Sequence, residues 1–158
     1  MTAVTFFVPG IPVPQGSKKA FVVGKRAVIV DVKPELLGAW RGEIARRAFS
    51  AFAFGPPIDG AVRVDAAFVL PRKPSVTRPL PIGARDGDVD KLVRALLDGI
   101  TQAGNVWADD SRVAELHASK VFGPTPGVHV TITPISDVAD LVPPVEQAAA
   151  AVEEGTAA

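Results

Sequence analysis

The chain predicts a single α+β domain, a mixed β-sheet packed against two main helices. Three observations predict it. Residues 61 to 70 alternate, setting Val62, Val64, Ala66, Phe68 and Leu70 on one face of a strand. Leu37, Trp40, Ile44, Ala48 and Phe52 recur at spacings of three and four, the stripe of a helix with one buried side. Leu92, Leu96 and Ile100 repeat that helical spacing further along. At 158 residues there is room for one domain with a proper core and little else.

Taken in order, Thr2 to Val8 (TAVTFFV) is β-branched and aromatic, a first strand stopped by Pro9-Gly10. Pro12, Pro14 and Gly16 make an irregular loop ending in Ser17-Lys18-Lys19. The runs AFVV and AVIV flank Gly24-Lys25-Arg26 and read as a hairpin with a basic turn. Pro34 followed by Glu35 suits the first turn of the first helix, which Gly55-Pro56-Pro57 ends; Arg41, Arg46 and Arg47 lie off its apolar stripe.

After the alternating strand comes PRKPSVTRPLPIGAR, with Arg72, Lys73, Arg78 and Arg85 and no acid; its prolines keep it out of helix and sheet interior. The second helix is expected from about Asp90 to Gln102, with Asp90 at or near its N-cap and Gly104-Asn105 closing it. Residues 112 to 122 form a strand, and 127 to 133 a partner strand joined to it through Gly123-Pro124. The domain is thus residues 1–133, followed by an acidic Ala-rich tail, 134–158.

Composition narrows the function classes. The 47% apolar fraction and mean hydropathy of +0.26 indicate a globular chain, and no apolar run is long enough to cross a bilayer. The start, MTAVTFFVPGIPVPQG, has Pro and Gly where a secretion signal needs an unbroken apolar region, so a cytoplasmic protein is expected. Zero Cys excludes disulfides, thiolate catalysis and Cys-ligated zinc. The zero net charge hides an asymmetry. Residues 134 to 158 hold five acids (Asp137, Asp140, Glu146, Glu153, Glu154) and no base, so residues 1 to 133 carry 17 bases against 12 acids, or +5. A basic body with an acidic tail suits a polyanion partner or, more simply, a solubilising tail. A tail of this charge also suits folding over the basic face and competing with such a polyanion.

The most informative stretch is RDGDVDKLVRALLDGITQAGNVWADDSRVAELHASK, residues 85 to 120. Asp88 and Asp90 open the helix; Asp109 and Asp110 follow it. Two like charges about 4 Å apart repel by roughly 4 kcal/mol at an effective dielectric of 20. Folds that gather carboxylates usually offset that cost with a divalent cation. Convergence requires the strand after Asp110 to start beside the N-terminal end of the helix. Taken singly, Asp90 reads as a cap and Asp109-Asp110-Ser111 as a turn.

The order of the pieces resembles the RusA family of Holliday-junction resolvases of phages and prophages. The family's D-x-D-N-x-x-K-x-x-x-D block falls on Asp88, Asp90 and Asp98. Its aromatic-x-D-D-x-x-V block falls on Trp107-Ala108-Asp109-Asp110-Ser111-Arg112-Val113, and Gly10, Pro12 and Pro14 match a G-x-P-x-P near the start. The resemblance covers residue 4 to about 133. It implies a homodimeric, Mg²⁺-dependent endonuclease, with Mn²⁺ as a substitute ion, that cuts four-way DNA junctions symmetrically and leaves a 5′-phosphate and a 3′-hydroxyl. The family's metal-holding catalytic carboxylates carry over onto Asp88, Asp90 and Asp110.

Two positions depart from the family. Its helix lysine is Arg94 here and its Asn is Lys91. Arg94 keeps the charge but not a titratable ammonium, which fits phosphate clamping better than proton transfer. Lys91, one turn earlier, can share the lysine's role. The departures keep open a nuclease for other branched or flap DNA, and a non-catalytic junction binder.

Candidate DNA contacts are Arg72, Lys73, Arg78 and Arg85, with Lys18, Lys19, Lys25, Arg26, Lys91 and Lys120 beside them. Lys120 shares a strand face with Arg112 and Leu116 by alternation, and reads equally as a gatekeeper of an edge strand. His117 and His129 lack ligand spacing, Glu115 is a surface strand residue, and Trp40 and Trp107 are core. Asp98, one turn after Arg94, is expected to pair within its helix.

Overall fold

The alternating stretch lies inside a four-stranded sheet. A computed structural model describes residues 2–16, 19–23, 26–30, 34–83 and 85–137. The strands are β1 (Val4–Pro9), β2 (Lys19–Val23), β3 (Arg26–Val30), β4 (Val62–Leu70), β5 (Val113–Phe122) and β6 (Gly127–Pro134); the helices are α1 (Pro34–Ala51) and α2 (Val89–Ala103). The main sheet runs β1-β6-β4-β5, while β2 and β3 pair separately as the expected hairpin. The architecture is therefore α+β with a mixed sheet: β6 is antiparallel to β1 and β4, and β5 is parallel to β4.

Every second residue of β4 is buried, from Val62 to Leu70. In register with them, Val128, Val130 and Ile132 of β6 are buried on the same face. Helix α1 brings Leu37, Trp40, Ile44 and Ala48 to this core, and α2 brings Leu92, Leu96 and Ile100. Full burial of side chains of this size contributes about 1.5–3 kcal/mol each. The two helices approach most closely at Gly99, where a Cβ would come within 2.8 Å of Ile44, so a larger residue there would push the pair apart. Both tryptophans are core residues, Trp107 2% exposed and Trp40 5%.

Three expectations need correction. Strands β5 and β6 do not pair: β4 lies between them, and Gly123, which donates to the Leu70 carbonyl at 3.0 Å, carries the chain over the end of β4. Alternation reports which face a residue occupies, not which strand is its neighbour. Helix α2 is capped by Asp88 rather than Asp90, because Asp88 is the last extended residue (φ −83°, ψ 142°) and Asp90 already sits in the first turn. Arg112 belongs to a short 3-10 turn, Asp110–Arg112, and not to the strand face that Lys120 and Leu116 share.

The opposite face of the sheet carries polar cross-strand pairs: Thr5 with Thr131, Phe7 against His129, and Asp65 with His117. Among the expected basic contacts, Lys18 and Lys25 lie outside the described residues, and Lys19 and Arg26 open strands β2 and β3. Most of the expected tail, residues 138–158, also lies outside them.

Candidate active site

The site begins with a turn that delivers the chain to α2. Asp86 accepts from the Gly83 N–H at 2.8 Å and from Arg78 at 2.5 Å. Both contacts, the Arg78 bond first, hold its carboxyl below the usual carboxylate range. Gly87 follows with φ +79°, a left-handed conformation that suits glycine, and a Cβ there would press on Pro14 at 3.2 Å. The Gly87 carbonyl accepts from the Lys120 ammonium of β5. This contact ties the strand to the mouth of the helix.

Asp88 comes next. Its carbonyl takes the first helical bond from Leu92, but its side chain caps no N–H, so the carboxylate oxygens stay available. One of them lies 2.7 Å from the Lys91 ammonium. That bond lowers the Asp88 carboxyl's pKa, and the charge of Lys120 adds to the effect. The Lys91 ammonium is in turn raised, first by Asp88 and then by the charge of Asp90. A single cation therefore feels both carboxylates of the D-x-D motif.

Asp110 comes from a different stretch. Trp107 is anchored by its indole N–H on the Thr101 hydroxyl at 2.8 Å and by a bridge to Ile58. The anchored ring fixes where the chain turns. Asp109 then closes the 3-10 turn by accepting from the Ser111 N–H at 2.9 Å; the Ser111 side chain first, and then this N–H, lower its carboxyl's pKa. Of the Asp-Asp pair, Asp109 is thus engaged in the turn and Asp110 is left over.

Asp90, Arg94 and Asp110 line one cavity of about 670 Å³ between α2 and β5, with Val89, Val93, Leu97, Leu116 and Ala118 completing the wall. Among the described residues, no ion pair or side-chain hydrogen bond holds any of these three charged groups. Asp110 also borders a second hollow with Asp98, Thr101 and Gln102, so it stands beside the middle of α2 rather than at its N-terminal end. Asp88 and Asp90 share a cation; Asp90 and Asp110 share a cavity. Among the described residues no three metal-ligating side chains surround one point.

The sequence itself matches a known family. The model of the family described as Endodeoxyribonuclease RusA matches residues 9–133. The chain belongs to the RusA family. It is an endodeoxyribonuclease, an enzyme of the Holliday-junction resolvase class. No curated protein matches the chain at the threshold applied. Among the described residues, no helix of this RusA-family chain is long and apolar enough to cross a membrane.

The remaining charged residues divide into two groups. Arg72 donates to the carbonyls of Val76, Thr77 and Arg78, and its guanidinium lies 5.6 Å from the Phe122 ring centroid. Arg78 pairs with Asp86 and lies 5.9 Å from the same ring. Both arginines brace the Pro-rich segment from within, which its composition alone did not reveal. Lys73 and Arg85 line a cavity without such anchors among the described residues. Asp98 pairs with Arg41 of α1 and not within its own helix, because that face of α2 packs on α1. His117 sits between Asp65 (3.1 Å) and Glu115 (2.9 Å), a cluster that sequence spacing did not show.

Proposed function

We propose that this chain is a divalent-metal-dependent resolvase that cuts four-way DNA junctions symmetrically as a homodimer, with Asp88, Asp90 and Asp110 as its acidic centre and Mg²⁺ as the ion. The observation that carries this reading is the cavity that Asp90, Arg94 and Asp110 line together, none of them held by an ion pair or side-chain hydrogen bond among the described residues. Crowded charges left unsatisfied by the fold are maintained for a ligand, since they contribute nothing to stability.

The donor set suits a hard cation. All three candidates are carboxylates, and the Lys91 ammonium beside Asp88, in the field of Asp90, acts as a stand-in positive charge where an ion would lodge. Mg²⁺ is usually held by one or two carboxylates plus substrate phosphate and water, so a closed cage of three is not required. When bound, such an ion polarises the phosphodiester and stabilises charge on the attacking and leaving oxygens. Arg94 lies one turn after Asp90, and its guanidinium fork suits clamping the phosphate. Lys120, fixed on the Gly87 carbonyl, adds positive charge beside Asp88. Lys73, Arg85 and Lys91 neutralise backbone phosphates further along the strand. A two-fold substrate is met by a two-fold protein, and edge strand β5 offers unpaired backbone groups to a second copy.

Asp90→Asn tests the assignment. It retains affinity for a synthetic four-way junction and loses Mg²⁺-dependent cutting; cutting at the wild-type rate would show that the site is elsewhere. The Lys91–Asp88 pair favours one second reading, a junction binder whose carboxylate is already neutralised. Tight junction binding with no cutting at any Mg²⁺ or Mn²⁺ concentration would establish that reading.

A further inference from the structure

A second cavity, about 600 Å³, opens on the other side of Gly87, and its chemistry differs from that of the acidic site. Ile11, Pro12 and Pro14 form one wall, and Leu70 and Phe122, at the ends of β4 and β5, form another. Lys73, Arg78 and Arg85 supply three positive charges, against a single carboxylate, Asp86, already taken up by Arg78 and the Gly83 N–H. Ile11 is 63% exposed, so an apolar surface faces solvent at the entrance.

Arg78 is the most informative group. Asp86 grips one end of its guanidinium, the Phe122 ring lies 5.9 Å away, and its buried Nε has no hydrogen-bond partner. Gly83 packs against the same guanidinium, a Cβ there coming within 2.9 Å of Cζ, so Arg78 is a fixed positive charge in the cavity wall with an unspent donor. Apolar walls, a fixed donor and positive charge at the rim together fit a base with its phosphate. The volume lies within the range of about 300–1,000 Å³ that suits small ligands. Gly87 belongs to this cavity and immediately precedes Asp88, so a strand passing the acidic site is led into it.

We propose that this cavity receives one unstacked nucleotide of the cleaved strand, adjacent to the phosphodiester that is cut. The proposal rests on reading the Asp88–Asp110 region as the nuclease site. It assigns Arg78 as a fixed donor to the base, Lys73 and Arg85 as phosphate contacts, and Ile11 as the apolar wall against the base.

The test places fluorescent aminopurine at successive positions around the cut in a four-way junction. The full chain is added without divalent ion, and cutting is then started with Mg²⁺. Fluorescence rises at one position on binding. Ser75→Trp, a pocket-filling change at an exposed wall residue, abolishes that rise and slows cutting by about 10-fold, the scale of one lost base stack. An abasic residue at the same position restores cutting by Ser75→Trp. Ile11→Ala, which removes wall without filling the cavity, weakens the rise in the same direction.

If wild-type protein cuts the junction and no position changes fluorescence, the pocket proposal fails and the nuclease reading stands. Ser75→Trp cutting as fast as wild type overturns the pocket alone. Binding of free mononucleotide that Ser75→Trp blocks, with junction cutting unaffected, also overturns it, since the cavity would then serve a separate ligand. If wild-type protein does not cut at all, the nuclease reading falls and the pocket proposal with it.

Discussion

The two helices use their charges in opposite ways. On α1, Glu43 holds both Arg46 and Arg47, and Arg41 reaches across to Asp98. On the N-terminal half of α2, Asp90 and Arg94 point into a cavity with no internal partner among the described residues. These α1 charges, together with Asp98 and Lys91 of α2, are paired within the fold, whereas Asp90 and Arg94 of α2 have no ion pair among the described residues. Charges that stabilise and charges that act can thus be separated here by their partners, although the two helices are similar in length and both bury an apolar stripe.

That contrast can be broken or sharpened by substitution. The largest effect is expected at Asp110: Asp110→Asn lowers junction cleavage by at least about 100-fold while leaving the melting temperature nearly unchanged. Cleavage assays paired with thermal melts check it, and a large loss of stability would place Asp110 with the structural charges. Next comes Lys91→Asn, which frees Asp88. The Mg²⁺ concentration for half-maximal cutting should fall by about 5-fold, and the salt slope of junction binding should shrink by about 0.9. A rise in the Mg²⁺ requirement would mean that Lys91 supports the site instead of competing for it.

Smaller effects are expected on the paired side. Asp98→Asn removes the Arg41 bridge, costs at most about 1 kcal/mol in denaturant melts, and leaves cutting intact. Loss of cutting would extend the site to this helix face. The smallest effect concerns pH. Arg46, then Arg47, lowers the Glu43 carboxyl from 4.5 to about 2. Its contribution is therefore fully present above pH 4.5 and lost as pH falls toward 2. Wild type should exceed Glu43→Gln by about 0.3–1 kcal/mol near neutrality, with the gap closing in acid, as melts across that range would show.

Much of this arrangement was legible in the sequence because it depends on periodicity. The β4 alternation and the α1 stripe each identify buried residues one by one, and Trp40 and Trp107 are core as their context suggests. Neighbour choice was not legible. Asp98 has Arg94 within helical reach in sequence, yet its partner is Arg41, which only the packing of α1 on α2 supplies. The β5–β6 pairing failed for a similar reason: a short Gly-Pro connection suggests a hairpin, but four residues can also span a strand lying between. At the candidate site, the motif indicated the residue types and their order. The turn expected at Asp109-Asp110-Ser111 forms, but the sequence could not show that Arg72 bonds back onto its own segment and Arg78 onto Asp86, because those outcomes depend on local hydrogen bonds without a spacing signature.

The parallel pairing of β4 with β5 has one further consequence. Parallel neighbours cannot be joined by a tight turn, so the chain must leave β4, build the whole of α2, and return before β5 can dock. Asp88 and Asp90 ride on that excursion, and Asp110 sits where it ends. Long-range closures of this kind come late and slowly during folding. If the proposed site assignment holds, a half-finished or partly melted chain presents the acidic groups scattered, and cutting waits on this closure.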